Sequence, residues 1–463
     1  MTIGLAREKK ITSIDFNTAA PAAARPDMFP VDNKGNVIGD INATGWLAAG
    51  VPGTLAGIQM AVERNGTRPL SELMAPAIAL AREGFPVGNA MAVSGKAEAA
   101  QLKKFPGSAK ALLKADGEPY KEGELYRNPD LATLLETLAK RNSMDSFYRG
   151  DIAQRLAEEF QKNGGLVTAQ DLANYAAREV TPLEQEWNGF MIYTAPLTAG
   201  GLTVVEAINI LKAMGWSREK AGSARMHGVL EALRLAWRDR LALLGDPAKV
   251  DAPVKRLLGW DYALDAAKAV EKAVREQRPL DRQTGKDTDK GTMNISAVDG
   301  HGNMVAMTLT QGNAFGSKVT VDGLGLTLGH GMSRFEPVPG KPNSVAPGKR
   351  PLNNMCPTVV TRHGKPMLAI GGTGGRYIPN CIFDVLWSYA GLHEPMETAM
   401  AGPRFSTQGD MRVTVEETWP ADDLQYLKSL GYQVTKAAKG ASLCRVGAVT
   451  FDPATGECAG KLR

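Results

Sequence analysis

The chain has 463 residues, 43% of them hydrophobic and 22% charged, with 54 Lys and Arg against 49 Asp and Glu for a formal net charge of +5. A globular chain of this length buries about 75% of its unfolded surface. The balance excludes a disordered protein, and 50 glycines without a Gly-x-y period exclude collagen. Charges of both signs are interspersed and no apolar run reaches the length of a membrane span, so neither nucleic acid nor membrane is expected as a partner.

In chain order, Met1-Thr2-Ile3-Gly4-Leu5-Ala6-Arg7 leads directly into Glu8-Lys9-Lys10, without the apolar centre of a signal peptide; as written, the sequence reads as cytoplasmic. Up to about residue 280 the pattern is mainly helical. Apolar positions recur at spacings of three and four over 54–64, 70–84, 129–141, 150–163, 203–214, 226–243 and 257–275, each ended by Gly or Pro signals. Residues 276–291 are almost wholly polar and aperiodic, which predicts a surface loop. From Thr292 the pattern changes to hairpins. Strand-like runs 293–298 and 304–310 flank Asp299 to Asn303, runs 357–361 and 366–370 flank His363-Gly364, and 445–451 precedes the turn residues 452–457. Helices interrupt only at 379–391, 395–402 and 421–431. Helices followed by a strand-rich half predict an α+β (α/β layered) fold.

Cys356, Cys381, Cys444 and Cys458 form no CxxC pair and are expected as buried thiols. His227, His301, His330, His363 and His393 have no ligand spacing, and no G-x-S-x-G elbow is present. Neither a metal site nor a histidine triad is therefore expected.

The polar segment ends in Gly291, and Thr292 opens a strand. This is a geometry suited to self-cleavage. Glycine accepts strained backbone, and a β-branched side chain has a restricted rotamer, so its hydroxyl can be aimed at the preceding carbonyl. Attack turns the peptide bond into an ester, and hydrolysis leaves Thr292 as a new amino terminus. Its α-amine, with a reference pKa of about 7.7–8.0, is a general base at neutral pH. Spacing alone does not separate this Gly-Thr from a plain strand start.

Motifs in order along the chain add to it. They are Ser13-Ile14-Asp15-Phe16 through Ala20-Pro21 to Asp27-Met28-Phe29, then Val51 to Gly57, Phe147 to Asp151, Asn163 to Leu172, and Asp239-Arg240 with Leu244 to Pro247. Gly291-Thr292, Asp299 to Asn303, Thr308-Leu309-Thr310, Phe315-Gly316, Lys349 to Thr358 and Gly371 to Gly375 follow. In this order they resemble the gamma-glutamyltransferase (glutathione hydrolase) family of N-terminal-nucleophile hydrolases. The resemblance implies a four-layer αββα sandwich, with Thr292 as both autocleavage residue and nucleophile. It also implies that Thr310 contacts the nucleophile's oxygen and that the N–H groups of Gly374 and Gly375 form the oxyanion hole, where a Cβ would obstruct the developing charge.

Several positions depart from the family's pattern. Asn17 stands where members hold the substrate's α-carboxylate with an arginine, and Asn353 and Asn354 stand where they use two serines; asparagine donates to a carboxylate without charge. Gly312 replaces an asparagine of the amino-group pocket. The acidic residue of that pocket aligns with Arg334, which repels an ammonium and favours a carboxylate or a neutral group. The acyl donor is therefore expected to be held differently from glutathione. Members also carry an amino-terminal region before Ser13 that contributes to the core. The sequence as given reads as a divergent member lacking that region, with sheet edges unpaired and apolar faces uncovered; a longer start would allow a periplasmic location.

The expected products are residues 1–291 and 292–463, held together as a heterodimer. The expected function is an autoprocessing acyltransferase or hydrolase cleaving gamma-glutamyl-type amides, with water or an amine as acceptor and no cofactor. A cephalosporin or glutaryl acylase-like amidohydrolase is the nearest alternative, and an uncleaved, non-catalytic homologue is the alternative from another class.

Overall fold

The computed structural model describes residues 1–216, 222–282 and 292–463; Gly291 lies outside the described residues. The chain divides into two compact units. The first is Met1–Ser13, Glu179–Leu309 and Leu352–Arg463, and the second is Ile14–Arg178 and Thr310–Pro351. Each unit draws on both sides of the 291/292 junction.

The first unit is built on two sheets. Strands β1 (Thr2–Leu5), β2 (Lys10–Asp15), β3 (Arg178–Val180), β4 (Leu183–Trp187), β5 (Phe190–Thr194), β6 (Thr292–Val298), β7 (Met304–Thr310), β8 (Thr358–Arg362), β9 (Lys365–Thr373), β10 (Arg445–Phe451) and β11 (Cys458–Leu462) run in the orders β3-β2-β1-β7-β6 and β11-β10-β9-β8-β5-β4. β1 pairs antiparallel with both β2 and β7, placing Thr2 opposite Ser13 and Ala306. The sheets meet through Met304, Ala306 and Val298 on one side and Val359, Ala369 and Val449 on the other. Alternate residues of the second sheet, Val360, Leu368 and Ile370, join the larger core beneath helices α1 (Gly201–Ala213), α2 (Ser223–Leu243), α3 (Trp260–Arg275) and α4 (Tyr377–Leu386). β8 and the second half of β9 are buried on both faces, which is why they read as almost continuous apolar runs. α1 is buried from Gly201 to Leu211, as a core helix must be, whereas α3 buries only the stripe Ala263, Ala266, Ala267, Val270 and Ala273. On the first sheet's other face, Met293 and Ile295 are 55% and 44% exposed.

The sheets approach most closely where β6 crosses β9 and β10. A Cβ built on Gly371 would stand 1.9 Å from Asn294 Oδ1, and one on Gly447 would stand 3.2 Å from Asn294 Nδ2. Ser296 Oγ donates to Gly447 O at 3.2 Å, and Thr308 Oγ1 donates to Asn294 Oδ1 at 3.1 Å.

The second unit is largely helical. Thr54–Asn65, Leu70–Glu83, Pro129–Arg141 and Asp151–Lys162 gather around Met74, Leu134, Leu138, Phe147, Leu156 and Phe160. Asn128 caps Pro129–Arg141 by accepting from Leu131 N, and Thr168 and Asp171 form a reciprocal capping box.

The layered α+β expectation holds, with differences in detail. The hairpin β4–β5 lies in the half expected to be helical; Asn188 and Gly189, both at positive φ, form the turn that joins it. The helix expected at 150–163 is Asp151–Lys162, and a short additional helix, Asp145–Arg149, precedes it across Gly150. The one expected at 379–391 is α4 followed by a π turn over Trp387–Gly391. Asn89–Leu102 is an additional helix, alanine-rich and with little apolar contrast between its faces. No described helix is long and apolar enough to cross a membrane.

Gly371→Ala is expected to displace Asn294 from the sheet–sheet contact and lower stability by about 1–3 kcal/mol, the range for overpacking. Denaturant titration checks this, and Asn294→Ala in the same background should recover part of the loss. An unchanged midpoint for Gly371→Ala would show that the sheets can separate freely there.

Candidate active site

Thr292 is the first residue of β6. By strand alternation it shares a face with the partly buried Asn294, Ser296 and Val298, while Met293, Ile295 and Ala297 are exposed. The Thr292 face is thus the one turned toward the second sheet. Three residues beyond Gly371, β9 runs into the turn Gly374-Gly375, with φ of 137° and 62°. The carbonyls of both glycines accept from the first N–H groups of α4, Gly374 from Tyr377 and Gly375 from Ile378, each at 3.2 Å. A Cβ on Gly374 would lie 3.0 Å from Leu443 O and from Cys444 Cβ, so dihedral and space both require glycine.

Cys444 is disulfide-bonded to Cys381 of α4 across a Cα–Cα distance of 6.7 Å. This corrects the expectation of four buried thiols. Only Cys356 is a buried thiol, and Cys458 is an exposed one. A bridge over 63 residues leaves no spacing signature; it forms because α4 folds back over the segment that precedes β10.

Asn353 and Asn354 lie in the segment leading into β8, seated on the turn before α1. Asn353 N donates to Thr198 O at 3.0 Å, and Gly200 N donates to Met355 O at 2.8 Å. The Asn353 side chain is engaged within this cradle, donating to Thr198 Oγ1 at 3.4 Å and accepting from Met355 N at 3.1 Å. A Cβ on Gly200 would stand 2.7 Å from Cys356 Sγ, 3.1 Å from Asn354 O and 3.1 Å from Pro379 Cγ, so this glycine lets the asparagine segment and the first turn of α4 meet. Burial pushes the Cys356 thiol up to about 12, leaving it neutral and unreactive at pH 7.

In the second unit, Gly312 packs on His330, and Arg334 follows it in the same turn. Gly312 N donates to Thr310 Oγ1 at 3.0 Å. Gly312 has φ 96°, and a Cβ there would lie 1.6 Å from His330 Nε2. The N–H of Asn313 donates to that same Nε2. The ring is therefore unprotonated at Nε2, and its Nδ1–H points to Ser333 Oγ at 2.6 Å, whose hydroxyl donates on to His330 O at 2.9 Å. Gly331, which opens the short helix Gly331–Arg334, is held against Thr18 beside Asn17. Asn343 Nδ2 donates to Arg334 O at 2.7 Å, and Asn17 Nδ2 donates to Pro351 O at 2.6 Å. Behind Asn17, Arg350 donates to Asp15 Oδ2 at 2.6 Å and to Ala176 O at 2.6 Å, lying 5.2 Å over the Tyr175 ring. Tyr175 donates to Asn17 O at 2.7 Å, and burial raises its hydroxyl pKa.

The gamma-glutamyltranspeptidase family model matches residues 1–462. The chain belongs to this family. It is 35% identical over 449 residues to the glutathione hydrolase proenzyme of Escherichia coli K12, covering 93% of this chain and 77% of that protein. It is 30% identical over 447 residues to the acylase ACY 1 proenzyme of Pseudomonas sp. strain SE83, covering 95% and 79%. Among solved structures, the cephalosporin acylase from Bacillus halodurans superposes with a TM-score of 0.88 at 25% identity, covering 100% of this chain and 86% of that one. The fold is accordingly the N-terminal-nucleophile hydrolase sandwich.

Within the first unit, the structure brings the Gly374-Gly375 turn and the Asn353-Asn354 segment onto shared supports, Gly200 and α4. Within the second, it brings Gly312 and Arg334 together through His330. The supports themselves, Thr198, Gly200, His330 and the Cys381–Cys444 bridge, are absent from the sequence reasoning. His330 stood in view only as one of five histidines without ligand spacing, and Cys381 and Cys444 only as expected thiols.

Gly312→Ala is expected to drive the methyl group into the His330 ring from a backbone conformation that disfavours it, lowering stability by about 1–3 kcal/mol. Thermal unfolding checks it; a wild-type melting temperature would mean that the ring moves aside without cost.

Proposed function

We propose that Thr292 is the nucleophile of an autoprocessing acyl-transfer enzyme. The Thr292 hydroxyl adds to the Gly291 carbonyl carbon and the C–N bond breaks, giving an ester and a free α-amine. Water then hydrolyses the ester, leaving residues 1–291 and 292–463 as a heterodimer. In turnover the α-amine takes the hydroxyl proton as Thr292 attacks a substrate amide, and it returns the proton to the departing amine. The N–H groups of Gly374 and Gly375 donate to the oxyanion, Thr310 orients the Thr292 oxygen, and water or an amine resolves the acyl-threonine. The observation that carries this reading is that Thr292 opens a strand whose Thr292 face is packed on β9, the strand that ends in the Gly374-Gly375 turn. Family membership supports it, since the matched proteins are proenzymes.

The substrate class is a gamma-glutamyl-type amide, its carboxylate taken at the Asn353-Asn354 segment. Arg334 and Gly312 favour a second reading, in which the donor is an acyl amide without an amino group, and likeness to an acylase proenzyme and a cephalosporin acylase supports it. Three outcomes follow. Intact-mass analysis of wild type should give two species, one beginning at Thr292, and Thr292→Ala a single one; an uncleaved wild type would instead indicate the non-catalytic homologue. Glutaryl 4-nitroanilide should be cleaved with a kcat/KM at least equal to that of the gamma-glutamyl compound, and Arg334→Asp should reverse the order. For either substrate, activity should rise with pH through about 7.7–8.0, because the terminal amine acts only once deprotonated. A rate that falls across that range would remove the amine from the base role.

A further inference from the structure

The Asp239-Arg240 motif of α2 has no part in the chemistry above, yet Arg240 is only 1% exposed. Its guanidinium donates through Nη2 to Asn353 O at 2.5 Å and through Nη1 to Ala199 O at 3.1 Å. It thus ties the asparagine segment to the turn that cradles it. Both acceptors are main-chain carbonyls, so neither neutralises the charge. Asp239, its neighbour in sequence, is engaged elsewhere with the Tyr262 hydroxyl of α3. The other titratable groups that Arg240 senses are the neutral thiol of Cys356 and the like charge of Arg376. Burial and Arg376 hold Arg240 down to about 10, which still leaves it protonated at pH 7. Among the described residues no carboxylate pairs with Arg240, and a buried cation without such a partner is costly to retain for packing alone.

The two asparagines also differ. The Asn353 amide is consumed by Thr198 and Met355. The Asn354 side chain makes no hydrogen bond to protein among the described residues. The segment is thereby divided into a strut, Asn353, and a residue with donors to spare, Asn354.

We propose that Arg240 is the positioning residue of this segment and the source of its positive charge, so that Asn354 receives the donor's carboxylate in front of a buried cation. This assignment rests on the carboxylate-holding role given to the asparagines above. It answers a chemical difficulty: Asn353 and Asn354 are both uncharged, and an anion held by amides alone lacks the charge-assisted component that strengthens carboxylate recognition. Arg240 supplies that component from behind the loop, by field and by polarising the Asn353 peptide group, without touching the ligand.

The test compares glutarate with butyrate, which differ by one carboxylate, in calorimetric titrations of wild type, R240M, R240K and N354A. Wild type should prefer glutarate. R240M, which keeps bulk and loses charge, should lose about tenfold of that preference, equivalent to ~1.4 kcal/mol. R240K should keep most of it, and N354A should lose it with an unchanged melting temperature. A purely structural Arg240 predicts a different pattern: a lower melting temperature in R240M with the glutarate preference intact, which would overturn the proposal. Should R240M fail to fold, N354A decides: full retention of the preference there, or no preference in wild type, equally overturns it. Self-cleavage, read separately by intact mass, reports on the nucleophile assignment, so failure of that reading is distinguishable from failure of this one.

Discussion

Gly371 and Gly447 take the side chains off the inner faces of β9 and β10 just where Asn294 of β6 lies against them. That close approach is the constraint on which the placement of Thr292 and its strand within the first unit rests. Sheets packed through full side chains stand about 10 Å apart. Here a single polar side chain fills the gap and is itself satisfied by Thr308 and Ser296. The face of β6 that bears Thr292 is thereby pinned to the strand that ends in the Gly374-Gly375 turn. A larger residue at 371 would push β6 away from that turn, so the glycine-rich end of β9 serves the sheet contact and the turn at once.

Around that contact, mobile groups are replaced by fixed ones. The glycine turn is continuous with α4, and α4 is bonded through Cys381 to Cys444, the residue against which Gly374 rests. The asparagine segment is held by main-chain hydrogen bonds to Thr198 and Gly200 and by Arg240. Trp237, on α2 with Arg240, donates to Asn380 of α4 at 3.1 Å. Two loops that are distant in sequence are therefore indexed to the same pair of helices. Acyl transfer needs such indexing, because oxyanion donors act only when their positions are set before charge develops.

How much of this was legible in the sequence follows from what kind of signal each part leaves. Long amphipathic helices such as Pro129–Arg141 and Trp260–Arg275 show their periodicity directly. So do the hairpins after Thr292, and the motif order carried the fold type. Asn89–Leu102 did not show, because alanine on every face gives no contrast. The hairpin β4–β5 was hidden by the helices around it, although Asn188-Gly189 was a usable turn signal. The place of Thr292 at a strand start was readable from the polar-to-apolar switch at residue 292. The supports were not, since Thr198, Gly200, Arg240 and His330 act through contacts between segments far apart in the chain, and nothing at the level of spacing encodes such contacts.

The departures from the family's pattern at Gly312 and Arg334 read in sequence as two separate losses, and in the second unit they are one rearrangement. No side chain at position 312 can coexist with the His330 ring, whose Nε2 occupies the place a Cβ would need. The glycine therefore does not leave a void where the family's asparagine stands; imidazole fills it, accepting the Asn313 N–H there. The same histidine immediately precedes Gly331–Arg334 and is braced by Ser333 of that turn. Placing asparagine at position 312 without changing His330 is thus sterically blocked. The chemistry proposed above draws on the Thr292 hydroxyl and amine and on two backbone N–H groups, all of the first unit, and none of them is part of this rearrangement. Membership of the family therefore constrains the kind of bond broken far more tightly than it constrains the acyl group on one side of it.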